Sequence, residues 1–267
     1  MLGLVVCGAA GRMGGTLVRL IQGSPQVKLT GAIDRPGSPR IGTDVGQVVG
    51  LGQLGISLSD RIEPALEGDV TVVDFTNPKA SLGYLRVAAA REVPIVIGTT
   101  GFSDSELAEI RRLAERTRVV LSPNMSIGVN LLLNLVGRVA QVLGDEYDVE
   151  IVEGHHRFKK DAPSGTALAL GRAAAQALKR DLDEAGVYGR KGIVGERSKK
   201  EIGFLSVRAG DIVGEHTVIF GGLGERVELV HRAHSRETFA RGAIRAAEWL
   251  VGQKKGLYTM QDVLGLK

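Results

Sequence analysis

Short apolar runs typical of strands alternate with longer helical patterns through the first half of the chain. The strand-like runs are Leu2–Val6, Val27–Ile33, Val70–Phe75, Pro94–Ile97 and Val119–Leu121. The helical patterns between several of them are Met13–Gln22, Lys79–Arg91 and Ser103–Arg116, the last with a capping-box spacing at its start. This alternation predicts βαβ units, and therefore a parallel sheet with helices on both faces.

A different pattern begins after residue 126. The predicted helices are Ile127–Leu143, Thr166–Lys179 and Glu237–Val251, and the predicted strands are Val149–Val152, Gly203–Arg208, His216–Phe220 and Val227–His231. The hairpin-like spacing of the last three strands predicts an antiparallel or mixed sheet with one face free to pack. The basic segment Gly186–Lys200 is interpreted as a long loop. The predicted class is α/β: a Rossmann-type parallel-sheet domain plus an α+β domain with an open mixed sheet, with boundaries near residues 126 and 236.

The composition narrows the possible partners. With 267 residues, 43% hydrophobic and 24% charged, the chain has the profile of an ordinary globular protein. Its net charge of +4 is dispersed and only 4% of its residues are aromatic, which favours a small anion over nucleic acid as its partner.

Cys7 is the single cysteine of the chain, in agreement with a reducing compartment. No apolar stretch approaches the ~20 residues that span a bilayer, and no leader pattern precedes the first strand. We therefore expect a cytoplasmic protein without a membrane partner.

A glycine-rich turn lies between the first strand and the first helix. It reads Gly8, Ala9, Ala10, Gly11, Arg12, Met13 and Gly14. Glycine at position 11 lets the backbone approach a pyrophosphate, and the helix start offers free N–H groups to the phosphates. Ala9 stands where the usual dinucleotide fingerprint has its first glycine, so a plain tight turn is the alternative interpretation.

Asp34 favours the dinucleotide interpretation over an ordinary turn. It ends the second strand, where an acidic side chain accepts hydrogen bonds from the adenine ribose. Arg35 follows it directly, and a guanidinium pairs with the 2′-phosphate of NADP. An acid beside a base predicts that both NADH and NADPH are used.

Two further loops follow strands of the same predicted sheet. They contain Gly98, Thr99 and Thr100, and Ser122, Pro123, Asn124 and Met125. In an open parallel sheet, ligands bind outside the carboxyl ends of the strands. Either loop alone is more often a plain connection, but their shared position predicts that they complete the cofactor site.

One segment concentrates the proton donors and cations. His155, His156 and Lys159 lie within five residues, and Ser164, Gly165 and Thr166 open the next helix. A helix N-terminus beside cations suits a dicarboxylate. A solvated loop or a metal site are the alternatives; we expect no metal, because adjacent histidines on an extended segment point to opposite faces. Neighbouring positive charge is expected to keep a histidine here neutral at neutral pH.

The run from Glu153 to Thr166 resembles the signature of dihydrodipicolinate reductases, Glu-x-His-His-x-x-Lys-x-Asp-Ala-Pro-Ser-Gly-Thr. Other matching segments follow in order along nearly the whole chain: Gly8 to Gly14, Gly98 to Gly101, Pro123 to Ser126, Arg208-x-Gly-x-x-x-Gly-x-His216 and Ser235-Arg236.

The resemblance implies a two-domain homotetramer. Residues 1–126 and 236–267 would form the dinucleotide-binding domain, and residues 127–235 would carry the substrate and the subunit contacts. The implied substrate is (2S,4S)-4-hydroxy-2,3,4,5-tetrahydrodipicolinate, which loses water and is reduced to tetrahydrodipicolinate. We hypothesise that the substrate carboxylates are bound by five residues of this run: His156, Lys159, Ser164, Gly165 and Thr166. His155 is the first choice as the proton donor and Lys159 the second.

Two other functions remain open at this point. Another dinucleotide-dependent amino-acid dehydrogenase would share the first half of the chain but not the His-His…Lys…Ser-Gly-Thr run. A non-enzymatic dinucleotide sensor would bind cofactor without oxidising it.

Overall fold

The computed structural model describes residues 1–266 and separates into two compact units. One unit is Met1–Ile127 together with the chain from Arg236 onward, and the other is Gly128–Ser235.

The elements are numbered along the whole chain. The strands are β1 (Leu2–Cys7), β2 (Val27–Ile33), β3 (Leu58–Ser59), β4 (Val70–Asp74), β5 (Ile95–Ile97), β6 (Arg118–Leu121), β7 (Asp148–His155), β8 (Gly186–Tyr188), β9 (Ile202–Arg208), β10 (Gly214–Gly221), β11 (Arg226–Ala233) and β12 (Gly256–Tyr258). The α-helices are α1 (Arg12–Gln22), α2 (Val45–Val49), α3 (Pro78–Ala90), α4 (Asp104–Ala114), α5 (Ile127–Leu143), α6 (Gly165–Ala177), α7 (Leu182–Ala185), α8 (Glu237–Leu250) and α9 (Met260–Val263). Glu63–Ala65 and Gly144–Glu146 form 3₁₀ turns.

The first unit is built on a seven-stranded parallel sheet in the order β12-β6-β5-β4-β1-β2-β3. Both of its faces are covered. Leu4 and Val6 of β1 pack with α1 and α8 on one face, whereas Val5 and Cys7 pack with α3 and α4 on the other. Burial on both faces explains why these strands are continuous apolar runs. The predicted Rossmann-type sheet is confirmed, with its strand order reversing between β1 and β4.

Several short elements of the first unit were not predicted. They are β3, β12, α2 and α9, each too short to produce a hydrophobic period. The closing segment, expected to be a plain tail, pairs β12 with the outer edge of β6. The capping box of α4 is confirmed: the Glu106 N–H donates to Ser103 Oγ at 3.3 Å, and the Ser103 N–H donates to Glu106 Oε2 at 2.7 Å.

The second unit contains a five-stranded sheet in the order β11-β10-β7-β9-β8. The sheet is mixed, as predicted, because β7 is parallel to β9 and antiparallel to β10. The hairpin expected between β9 and β10 does not form, since β7 lies between them and provides the buried centre of the sheet. The segment interpreted as a long loop begins with the edge strand β8.

Within the second unit, helices cover only one face of this sheet. Ile151, Phe204 and Val218 pack on that face against α5 and α6. The alternate side chains form the opposite face, which we call the open face: it contains Val152, Leu205, Val207, Thr217 and Val230 together with the charged Glu150, Glu215, Glu228 and Arg232. Leu205 and Val230 are each 45% exposed.

The helical stretch Ile127–Glu146 is 20 residues long and apolar enough to pass a membrane-span test based on length and composition. This corrects the expectation that no stretch comes near that length. Leu132, Val136 and Ala140 of this stretch are buried in the core of the second unit. Packing on the sheet therefore accounts for much of its apolar character.

Candidate active site

The glycine-rich turn after β1 is closed by its own backbone. The Gly11 N–H donates to Gly8 O at 2.9 Å, and Gly8 has the left-handed φ of 73° that this closure requires. A Cβ at position 14 would lie 2.1 Å from Gly8 O and 2.6 Å from Ala9 Cα. Helix α1 can therefore begin directly against the turn only with glycine at position 14.

We expect Gly14→Ala to reduce the free energy of unfolding by about 1–3 kcal/mol, because backbone must move to admit the methyl group. Dinucleotide binding should weaken as well, since the displaced atoms form the turn. Gly83→Ala is the matched control: position 83 lies inside α3 with open space around it, and the change should stabilise by about 0.5–1 kcal/mol. Urea denaturation and fluorescence titration with NADH measure both effects. Equal behaviour of the two variants would contradict the proposed role of Gly14.

Asp34 and Arg35 lie beside the glycine-rich turn in the structure. Together with Ala10 and Gly11 they line a cavity of about 360 Å³. Asp34 Oδ1 accepts the Arg35 N–H at 2.9 Å, and its Oδ2 accepts the Ser38 hydroxyl at 2.8 Å. The adjacent acid and base and the glycine-rich turn, which lie on two separate segments of the sequence, thus share one concave surface.

A second cavity of the same unit, about 380 Å³ in volume, is lined by five of the other predicted cofactor residues. Its lining includes Arg12, Met13, Pro123, Asn124 and Met125, and also Phe75, Arg236 and Phe239, to which sequence reasoning assigned no site role. The Ser122 hydroxyl donates to Asn124 O at 2.8 Å and thereby shapes the loop.

The loop Gly98–Thr100 is held by a buried carboxylate at the end of the neighbouring strand. Thr99 Oγ1 lies 3.2 Å from Asp74 Oδ2 and accepts the Thr76 N–H at 3.0 Å. Burial raises the pKa of Asp74, although hydrogen bonds from Ser81, Thr76 and Thr99 oppose that rise. A Cβ at position 98 would overlap the Phe75 ring at 2.2 Å, so only glycine fits there. Asp74 was missed because it appears in the sequence as the plain end of an apolar strand.

In the second unit, the predicted catalytic segment is organised by Glu153, which is 1% exposed. The Arg208 guanidinium donates Nη1–H to Glu153 Oε2 at 2.9 Å and Nη2–H to Oε1 at 2.7 Å. Although burial alone raises the pKa of Glu153, hydrogen bonds from Arg208, Ser206 and His155 lower it to about 2. The carboxylate is therefore ionised at any neutral pH and can accept several donors at once.

His155 is one of the groups held by this carboxylate. Its Nδ1 lies 2.5 Å from Glu153 Oε2, and because an ionised carboxylate only accepts, Nδ1 carries the proton. Its Nε2 lies 3.2 Å from where a Cβ at position 214 would be, so glycine there leaves room for the ring. Burial is the main cause of a lowered pKa of His155, opposed by Glu153 and assisted by Lys159 and Arg208. The expected direction is right, but desolvation outweighs the neighbouring charge that we invoked.

Ser164 is the second group held by Glu153. Its N–H donates to Glu153 Oε1 at 3.1 Å, and its hydroxyl caps α6 by accepting the Ala167 N–H at 3.1 Å. His216 Nε2 also lies 3.1 Å from that hydroxyl. Ser164 is 2% exposed, so its polar groups are used inside the protein while Gly165 begins the helix at N1. Glu153 thus fixes both the histidine and the helix start.

His216 is a buried neighbour that sequence reasoning named without giving it a role. Its ring centroid lies 5.2 Å from that of His155, in an edge-to-face arrangement. Burial, with a smaller effect from the charge of His155, lowers the pKa of His216 to about 4. It is neutral at neutral pH and adds no charge beside His155.

Lys159 forms an ion pair that was not expected. Its Nζ lies 2.8 Å from Asp161 Oδ2 and 2.9 Å from Oδ1. The Lys159 ammonium lowers the pKa of Asp161. His156 lies nearby in sequence; its Nδ1 is buried without a hydrogen-bond partner among the described residues, and its ring centroid is 6.3 Å from that of Phe158.

A signal for Glu153 was present in the sequence. Val149, Ile151 and Glu153 alternate along β7 with burial at each position, so the acid occupies an inward-facing site. A carboxylate in such a position needs a cationic partner. The period-2 pattern could therefore have identified Glu153 as a buried ion, but not Arg208 as its partner.

Within residues 1–266, no group of three or more histidine, cysteine or acidic side chains is arranged to hold a metal ion.

Comparison with known protein families covers both units. The model for the N-terminus of dihydrodipicolinate reductase matches residues 2–125, and the model for its C-terminus matches residues 128–264. The chain belongs to the dihydrodipicolinate reductase family.

Relatives of this enzyme are similar over its full length. The 4-hydroxy-tetrahydrodipicolinate reductase of Syntrophus aciditrophicus (strain SB) is 53% identical over 267 residues, covering 100% of each chain. That of Thiobacillus denitrificans (strain ATCC 25259 / T1) is 53% identical over 264 residues, covering 99% of this chain and 98% of its own. A dipicolinate-bound dihydrodipicolinate reductase from Paenisporosarcina sp. TG-14 superposes with a TM-score of 0.77 at 23% identity, covering 98% of both chains.

These similarities confirm the predicted family and the oxidoreductase activity that its members are named for. Because both family models and the full-length relatives are those of this reductase, the two alternative functions, another type of amino-acid dehydrogenase and a non-enzymatic dinucleotide sensor, are not favoured. Enzymes of this family use a nicotinamide dinucleotide, which fits the parallel sheet and glycine-rich turn of the first unit.

Proposed function

We propose that the chain reduces (2S,4S)-4-hydroxy-2,3,4,5-tetrahydrodipicolinate to 2,3,4,5-tetrahydrodipicolinate in the diaminopimelate route to lysine. The substrate, one reduced dinucleotide and one proton give the product, the oxidised dinucleotide and one water. The main structural support for the proposal is the buried Glu153 carboxylate. It accepts hydrogen bonds from His155, the proposed proton donor, and from the Ser164 N–H at the start of α6.

The first unit would hold the cofactor. The turn and the cavity beside Asp34 fit a dinucleotide, because glycine at position 14 lets α1 begin directly against the turn and so places the helix N-terminus beside that cavity, where its N–H groups can bind phosphate. When bound, the reduced nicotinamide supplies the hydride. Asp34 favours the ribose of NADH and Arg35 favours the phosphate of NADPH, so both cofactors are used.

The second unit would hold a ring with two carboxylates. Gly165 and Thr166 begin α6, whose N-terminus attracts an anion, and the Lys159 ammonium supplies a compact charge. Lys159 already pairs with Asp161, which is 61% exposed and can yield to a carboxylate from the substrate. His156 would contact the same anion, whereas Ser164 positions the helix start from within.

His155 would deliver the proton. Its Nδ1–H donates to Glu153, which fixes the ring and stabilises the imidazolium, so that Nε2–H is the acid. In the free protein the lowered pKa of His155 keeps it neutral at pH 7. A dianion beside it favours the charged form. Binding of the dianionic substrate would therefore favour protonation of His155, the acid that the reaction needs.

This mechanism predicts proton uptake on ligand binding. A dicarboxylate raises the pKa of His155 from below its usual value of about 6.5, so binding near pH 7 should take up close to one proton per site. Calorimetry of dipicolinate binding in buffers of different ionisation enthalpy measures this number. His155→Gln should abolish the uptake while binding persists. Uptake that survives in the variant would transfer the role to another group.

The activity itself is tested in a coupled assay. A synthase that makes the hydroxylated substrate is supplied, and the absorbance of NADH or NADPH is followed separately. We expect substrate-dependent oxidation of both cofactors. A protein that oxidises neither would refute the proposed function.

The remaining expectations concern assembly and location. Residues 1–126 and 236–267 would bind the cofactor, and residues 127–235 would bind the substrate and join the subunits of a cytoplasmic homotetramer. The open face supports this assembly, because Leu205, Val207 and Val230 on it are large apolar side chains that are exposed in the single chain. Sedimentation of the free protein measures the oligomeric state directly.

A further inference from the structure

The cavity beside Asp34 contains an arginine that the glycine-turn pattern does not reveal. Ala10 and Gly11 form one part of its lining, and the loop after β2 supplies Asp34, Arg35, Ser38, Pro39 and Arg40. Under the proposed function, this cavity receives the adenosine end of the cofactor. Its polar groups therefore decide between a ribose hydroxyl and a ribose phosphate.

Asp34 is held in place by its own loop. The Arg35 N–H and the Ser38 hydroxyl each occupy one of its oxygens. A carboxylate has about four acceptor positions, so two remain for ribose hydroxyls. The two bound donors also reduce the repulsion that Asp34 would exert on a neighbouring phosphate.

Arg40, at the far end of this loop, is hydrogen-bonded to the opposite side of the cavity. Its Nη1–H donates to Ala10 O at 3.1 Å, which ties the guanidinium to the glycine-rich turn. No carboxylate of residues 1–266 lies within the 4.0 Å that defines an ion pair with Arg40. Four of its five N–H groups are consequently uncommitted. The Arg35 guanidinium, by contrast, has no hydrogen bond to the described chain.

We propose that Arg40 is the main determinant of NADPH binding, with Arg35 in a secondary role. A 2′-phosphate carries up to two negative charges and matches the planar fork of a guanidinium. An arginine already fixed to the backbone loses less side-chain entropy on binding than a free one. NADH has an uncharged hydroxyl in place of this phosphate, so its binding depends much less on Arg40.

The test is the affinity of the substrate-free enzyme for each cofactor. We expect Arg40→Leu to raise the Kd of NADPH roughly 10- to 100-fold, the usual range for losing charge-assisted hydrogen bonds. The Kd of NADH should change less than about threefold. Arg40→Lys keeps the charge without the fork and should recover only part of the loss. The same ordering should appear with 2′,5′-ADP and ADP as probes.

Arg19→Leu is the matched control. The Arg19 Nη1–H donates to Val49 O at 3.2 Å, so this variant loses the same charge and the same type of bond in the same unit. It should leave both affinities unchanged. Thermal melting of each variant checks that the fold is intact.

The possible results are distinguishable. Selective loss of NADPH and 2′,5′-ADP binding in Arg40→Leu supports the inference. Equal weakening of both cofactors would assign Arg40 to support of the glycine-rich turn, and an unchanged ratio would assign the phosphate to Arg35; either overturns it. Wild-type protein that binds neither dinucleotide would remove the proposed function, and this inference with it.

Discussion

His155→Gln is expected to lower kcat by a factor on the order of 10²–10⁴, the usual contribution of a general acid. The Michaelis constant for the substrate should change only a few-fold. Glutamine can still donate to Glu153, which accepts from His155 Nδ1 in the native protein, so the local structure is retained. It cannot transfer a proton at neutral pH. Steady-state kinetics with saturating NADPH, and again with NADH, measure both parameters.

Two comparisons make this result specific. His234→Gln removes an exposed imidazole at the end of the same unit and should leave kcat unchanged. The pH dependence of kcat should also lose the ionisation assigned to His155. Normal turnover in His155→Gln would show that His155 is not the acid and would direct attention to Lys159. A large rise in the Michaelis constant with unchanged kcat would make it a binding residue instead.

Arg208→Leu is expected to cost about 3 kcal/mol of unfolding free energy, near the lower end for breaking a buried ion pair. The variant leaves the carboxylate of Glu153 buried without its bidentate partner. The Arg208 side chain is itself 20% exposed in the native protein, and this partial exposure reduces the cost of losing it. Activity should fall as well, since Glu153 positions both His155 and Ser164. Urea denaturation followed by circular dichroism measures the change in stability.

The pH dependence of the unfolding free energy provides a second test of the role of Arg208. The folded pKa of Glu153 is depressed, so its stabilisation is complete above the unfolded value of about 4.3 and is lost as the pH falls toward 2. Without Arg208 the carboxyl protonates more readily. The difference in stability between wild type and Arg208→Leu should therefore narrow as the medium becomes acidic.

Control variants separate the buried pair from charge in general. Arg86→Leu breaks an ion pair with Glu109 on the surface of the first unit and should leave the denaturation midpoint nearly unchanged. The double variant Glu153→Gln with Arg208→Leu should regain part of the lost stability, because no unpaired charge stays buried. If Arg208→Leu were no less stable than Arg86→Leu, the central role of Glu153 would be wrong.

The sequence by itself determined what depends on neighbours along the chain. The apolar runs predicted the parallel strands, and the spacing of Ser103 and Glu106 predicted the cap of α4. Glycine at position 14 predicted the close approach of α1 to its turn. Hydrophobic period, capping and steric freedom act over a few residues, so they can be recognised from residue types and spacing alone. The run from Glu153 to Thr166 was specific enough to identify the family before any contact was known.

Only the tertiary structure decided which distant groups meet. Arg208 pairs with Glu153 across 55 residues because β9 is parallel to β7, with Arg208 opposite His155 in the register. Arg40 reaches Ala10 because β1 and β2 end side by side. The hydrophobic pattern of a strand restricts its register but does not identify the strand with which it pairs, which depends on packing of the whole sheet. The same limit explains why β7 was not placed between β9 and β10, and why the partner of a buried carboxylate could not be identified from residue type alone.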